Sequence, residues 1–156
     1  MERAIEVAEN VLRKLDTGFN LFLEDSPRRA EVVVFKIKIA AHCFTGVIEE
    51  KNLGLQVRLF SGVYLDKKVK RSQTGGFLLR LLHLSAYYVF FKYAVDERNN
   101  EIVCQASIIA DPSGLTEEQC EIALKELIDG VEESWREAMA SYHLNPDRYL
   151  DMGEPE

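Results

Sequence analysis

Residues 77–142 set a nearly wholly apolar helix, a two-stranded hairpin and a long acidic amphipathic helix in direct succession. That order limits the fold to a few possibilities and points to a protein that binds other chains. The last helix has the clearest local grammar. Asp111-Pro112-Ser113-Gly114 stops the strand before it, Thr116 and Gln119 stand at capping-box spacing, and Leu115 and Cys120 stand at the spacing of a hydrophobic staple. Cys120, Leu124, Leu127, Ile128, Val131, Trp135, Ala138 and Tyr142 then recur at three- and four-residue steps, a stripe for one helix face. Glu121 with Lys125, and Glu132 with Arg136, are well-oriented pairs for the outer side.

Upstream, only Arg80 and His83 are polar between residues 77 and 84. A helix apolar nearly all round is covered on more than one side, here by the sheet and by another helix or subunit. The hairpin is predicted over residues 88–95 and 101–109, with Asp96-Glu97-Arg98-Asn99-Asn100 as its turn. Its first strand is apolar on both faces, with Val89, Phe91, Tyr93 and Val95 on one and Tyr88, Phe90 and Ala94 on the other.

In the first half, Ile5, Ala8, Val11, Leu12 and Leu15 give a helix over residues 3–15, which Thr17-Gly18 ends. Residues 19–23 alternate as a short strand, and Asp25-Ser26-Pro27 turns the chain. A strand over residues 31–41 places Val33, Phe35, Ile37 and Ile39 opposite Lys36 and Lys38. Residues 42–52 either extend that strand or form another, and residues 55–63 form the next.

A chain of 156 residues is one ordinary domain, able to bury a core without metals or disulfides. The expected division is a single domain over residues 1–143 and a loose acidic tail over residues 144–156. A net charge of −7 argues against a general nucleic-acid partner, which needs excess Lys and Arg. No apolar run approaches the roughly 20 residues needed to cross a bilayer, and residues 1–4 begin a charged amphipathic segment, so no membrane partner is expected. Three cysteines without close spacing suit reduced thiols, and the expected location is the cytoplasm.

The order α-β-β-β-α-β-β-α in an acidic chain of this size resembles the type III secretion chaperone-like superfamily, and within it the YbjN-type domains of bacteria. The likeness covers nearly the whole chain. It is best where Leu78-Leu79-Arg80-Leu81-Leu82-His83-Leu84 precedes the hairpin and Ala110-Asp111-Pro112-Ser113-Gly114-Leu115-Thr116-Glu117-Glu118 leads into the last helix. The sequence departs from that pattern in residues 42–54, which have no obvious counterpart. The resemblance implies an α+β fold with a twisted antiparallel sheet, a homodimer, and the holding of extended partner segments without catalysis.

Candidate chemistry is sparse. His42-Cys43 is the only adjacent nucleophile–base pair, and on a strand the two side chains point to opposite faces. His42, His83 and His143 lack metal-ligand spacing, and the carboxylates of the last helix ride opposite its apolar stripe, where solvation is their ordinary role. No catalytic residue, metal or cofactor is expected. Lys67, Lys68, Lys70 and Arg71 precede a helix whose first turn would contain Gly75-Gly76, a candidate anion site built on free backbone N–H groups. This makes an anion-sensing regulatory domain the alternative function. Surplus apolar surface marks interfaces. It assigns Leu78, Leu79 and Leu82 to a homodimer interface, and Tyr88 and Phe90, beside the sheet edge, to a polypeptide client or regulatory partner.

Overall fold

A computed structural model describes residues 3–15, 21–23, 32–52, 54–64, 71–89, 91–110 and 114–141, with backbone only for 71–76 and 141. Helix α1 (Ala4–Leu15) leads into strands β1 (Leu21–Leu23), β2 (Val32–Ile39), β3 (His42–Lys51) and β4 (Gly54–Tyr64). Helix α2 (Arg71–Ser85), the hairpin strands β5 (Phe91–Asp96) and β6 (Glu101–Ile109), and helix α3 (Glu117–Ser141) follow. The six strands form one antiparallel sheet in the order β1-β2-β3-β4-β6-β5. The α+β class is as the sequence predicts, with one strand more than the expected order before α2.

That extra strand is β3. The sequence carries no turn signal at its start because the two-residue connection is Ala40-Ala41, with φ of 52° and 62°. Ile39 pairs with His42 across it, the geometry of a tight hairpin with both central residues left-handed. Asn-Gly would normally announce such a turn. Alanine adopts it at a cost of roughly 1–2 kcal/mol per residue, offset by eight paired positions along β2 and β3.

Alternate side chains of every long strand are buried on one face, and all three helices pack there. β2 sends Val33, Phe35, Ile37 and Ile39 into this core, β4 sends Leu55, Val57 and Leu59, and β6 sends Ile102, Cys104 and Ala106. Gly46 of β3 lies opposite Phe35, whose ring fills the space a side chain would occupy: a Cβ on Gly46 would sit 2.2 Å from Phe35 Cζ. On the helix side, Gly130 of α3 admits the Phe91 ring in the same way, with Cε1 2.5 Å from where a Cβ would be.

Helix α3 follows its predicted grammar. Thr116 N–H donates to Gln119 Oε1 and Gln119 N–H donates to Thr116 Oγ1, each at 3.1 Å, the reciprocal bonds of a capping box. Cys120, Leu124, Leu127, Ile128, Val131, Trp135 and Ala138 are all buried, and Glu121–Lys125 and Glu132–Arg136 pair outside at 3.1 and 2.8 Å. Tyr142 lies outside the described residues, as do Thr17-Gly18, Asp25-Ser26-Pro27 and the C-terminal segment. α1 lies beside α3, with Lys14 paired to Glu117 and Arg3 bonded to Glu50 of β3 at 2.8 Å.

Candidate functional site

Helix α2 contains three kinds of leucine. Phe77, Leu81 and Leu84 recur at four- and three-residue steps and are buried against α3 and β5. Leu78 is half-buried and packs on the edge of that core. Leu79 and Leu82, three residues apart on the outer face, are 52% and 42% exposed, and Tyr87 and Val89 just beyond the helix are 84% and 97% exposed. Among the described residues the helix is therefore covered on one side by its own chain and bare on the other. The bare side contains two of the three leucines assigned from sequence to a dimer interface.

The first hairpin strand starts at Phe91, three residues later than predicted, because the backbone of residues 86–88 is still winding off α2. Ala86, Tyr87 and Tyr88 N–H groups donate to His83, Leu84 and Ser85 carbonyls at 3.1–3.3 Å. Tyr88 thus belongs to the connection. Its ring lies 4.6 Å from that of Phe91, and burial, with the Glu133 carboxylate nearby, raises its phenol above the usual range. Phe90 lies outside the described residues.

β5 is an edge strand, and the expected route of added-strand pairing meets an obstacle there. Ser85, buried at the end of α2, accepts the outward N–H of Tyr93 at 3.3 Å and donates to Leu81 O at 2.9 Å. A helix end laid on an open edge removes the donor that an incoming strand needs. One donor of the edge beside the expected client site is thus taken by the chain itself.

The cation loop and the glycines separate as well. α2 begins at Arg71, so Gly75 and Gly76 lie in its second turn and not in the first, where the N–H groups are unpaired. Lys67, Lys68 and Lys70 lie outside the described residues, as does the side chain of Arg71.

His42 and Cys43 are divided by the sheet, as strand geometry requires. Cys43 is exposed on the helix-free face; His42 is fully buried beneath α3, its ring 4.8 Å from Trp135 and 5.0 Å from Phe44. Its Nε2–H donates to Ser61 O at 2.6 Å, which places the proton of the neutral ring on Nε2, and burial, outweighing that bond, pushes the imidazole below its usual value. Nδ1 is buried and has no hydrogen-bond partner among the described residues. The other thiols are no better placed for chemistry. Burial raises Cys104 far above the thiol range and pushes Cys120 up to about 12. Among the described residues no group of His, Cys, Asp or Glu is arranged to hold a metal, and no helix is long and apolar enough to cross a membrane.

The histidine has a consequence for stability. Because its folded value is lowered, the unfolded chain binds a proton near pH 6.5 that the folded chain refuses. Its contribution is complete above pH 6.5 and is lost as pH falls from there toward the folded value, at up to about 1.4 kcal/mol per pH unit. Urea titrations of wild type and His42→Gln from pH 7.5 to 5 test this: the wild-type curve should fall more steeply below pH 6.5. Parallel curves would show that His42 does not titrate on unfolding.

The face of the sheet opposite the helices is only partly polar. Registers place Val34, Val47, Phe60, Val103 and Ala94 on it, together with Lys36, Lys38, Glu49, Arg58 and Lys92. Arg58 pairs with Glu49 and lies over the Phe60 ring at 5.5 Å. An open groove of about 350 Å³ runs from Phe60 and Val103 to the β5–β6 turn. The sequence reading missed this surface because it assigned polar character to that face; Val32 and Val34 of β2 and Val47 of β3 were the available signal.

The sequence matches no protein-family model and no curated protein. As a structure, the chain is similar to the crystal structure of YbjN from E. coli, a proposed transcription regulator, with a TM-score of 0.58 and 14% identity over 88% of this chain and 92% of that one. The chain therefore has a YbjN-like fold, three helices on one face of a six-stranded antiparallel sheet.

Proposed function

We propose that this chain is a non-enzymatic protein-binding domain, chaperone-like or regulatory, that self-associates through the outer face of α2 and holds a segment of a partner protein. The observation that carries this reading is the bare apolar side of α2, where Leu79 and Leu82 stand exposed and Tyr87 and Val89 continue the surface beyond the helix end. A soluble chain seldom leaves such side chains grouped in water unless another surface covers them. A second copy is the economical cover, since a two-fold contact through one helix face is self-complementary. A role in regulation agrees with the YbjN-like fold, that protein being a proposed transcription regulator. The net charge of −7 favours regulation through protein contacts over direct binding to phosphate backbones.

Light scattering at micromolar concentration tests self-association. The wild type should show twice the 17.8 kDa chain mass. Leu82→Glu, alone or with Leu79→Glu, should give a monomer with an unchanged circular dichroism spectrum and stability within about 0.5 kcal/mol, because these sites are on the surface of the single chain. A wild type that stays monomeric at tens of micromolar would remove the dimer from the reading.

A further inference from the structure

We propose that the helix-free face of the sheet is the client platform, and that its occupant is an extended, acidic segment of a partner polypeptide carrying apolar side chains. This rests on the protein-binding reading and is independent of self-association through α2, which lies on the opposite side of the sheet.

The face offers an apolar stripe crossing the strands. Val34 pairs with Val47, and Phe60, one step along β4, pairs with Val103, which in turn pairs with Ala94. From β2 to β5 this stripe covers four strand spacings, about 19 Å, the length of about six extended residues. Val34, Val47, Phe60 and Ala94 are half-buried, so part of each is open to a ligand, while Val103 is buried; the groove beside Phe60 has room for one side chain.

The charges decide the chemistry of the occupant. Among the described strand residues the carboxylates of this face are already engaged: Glu49 by Arg58 and Lys51, Asp96 by Arg98, and Glu101 by Gly62 N–H at 2.7 Å and Asn99 at 3.0 Å; Glu97, in the turn at the far end of the groove, is not. Lys36, Lys38 and Lys92 have no ion-pair or hydrogen-bond partner among the described residues. They stand toward the β2 and β5 ends of the stripe. A net-acidic chain thus presents unpaired cations beside half-buried apolar side chains on one face. Carboxylates of a partner complete those lysines while its apolar side chains cover the stripe. Nucleic acid fits less well, because three lysines neutralise few phosphates and the stripe has no use for them.

Selection of short peptides from a random displayed library against the full chain tests the proposal. Enriched peptides should combine Asp or Glu with apolar residues, and their binding should weaken with salt. A Lys36→Glu/Lys38→Glu/Lys92→Glu variant, altered only at exposed positions, should lose roughly tenfold to a hundredfold in affinity for them. Leu82→Glu should retain that binding even where it abolishes the dimer, which separates this platform from the α2 surface. Enriched peptides without acidic bias, a library yielding no binder, or unchanged affinity in the triple variant would overturn the proposal. So would salt-sensitive binding of duplex DNA that the triple variant loses, since nucleic acid would then be the occupant.

Discussion

Trp135→Ala is expected to lower the stability of the folded chain by about 3–5 kcal/mol, the range for truncating a large buried aromatic. Tryptophan is seldom buried completely, yet Trp135 has no exposed surface. It joins four elements at one point. Its ring lies 4.8 Å from His42 and 5.0 Å from Phe44 of β3, 4.8 Å from Phe77 of α2 and 6.4 Å from Tyr93 of β5, with edge-on geometry to both phenylalanines. Removing it leaves a cavity where α3 presses α2 onto the sheet, and the surrounding rings belong to separate elements that cannot all close inward. Urea unfolding followed by circular dichroism measures the loss, and Trp135→Phe should recover a large part of it. The wild-type tryptophan should also emit at short wavelength when folded. A loss below about 1 kcal/mol, or a red-shifted wild-type emission, would contradict the packing of α3 described above.

An effect of similar size, from a different cause, is expected at Gly54. It opens β4 with φ of 143°, a conformation that side chains rarely adopt, and a Cβ placed there would lie 1.9 Å from the carbonyl oxygen of Ile108. That oxygen belongs to β6, and the obstacle is backbone, which cannot rotate aside. Relief requires the β4 and β6 strands to separate at the Gly54–Ile109 pair. This seam is the only pairing in the described sheet between the β1–β4 meander and the C-terminal hairpin. Gly54→Ala should therefore cost at least about 3 kcal/mol, combining backbone strain with a disrupted ladder. Faster hydrogen exchange should spread along β6 from Ile108. A variant as stable as wild type would show that the close approach is absent in solution. The approach of β6 to Gly54 does not show in the sequence, because the two segments are more than fifty residues apart.

What the sequence determined by itself is whatever neighbouring residues write together. The capping box at Thr116 and Gln119 and the α3 stripe through Trp135 involve groups within a turn or two of one another, so their spacing alone specifies them. The alternation along β2, and the opposite faces of His42 and Cys43, follow from the two-residue period of a strand in the same way. The tertiary structure decided the rest. A turn of two left-handed alanines separates β2 from β3, and only the long ladder on either side holds it in that form. Which leucines of α2 are buried depends on where α3 and β5 lie: Leu81 and Leu84 meet them, while Leu79 and Leu82 do not. Ser85 capping the β5 edge, and the stripe assembled from β2, β3, β4, β6 and β5, rest on strand order and register. Both candidate surfaces are therefore legible only in part from the chain, because an interface is a sum over residues distant in sequence, and the pairings that gather them are set by the packing of the whole sheet.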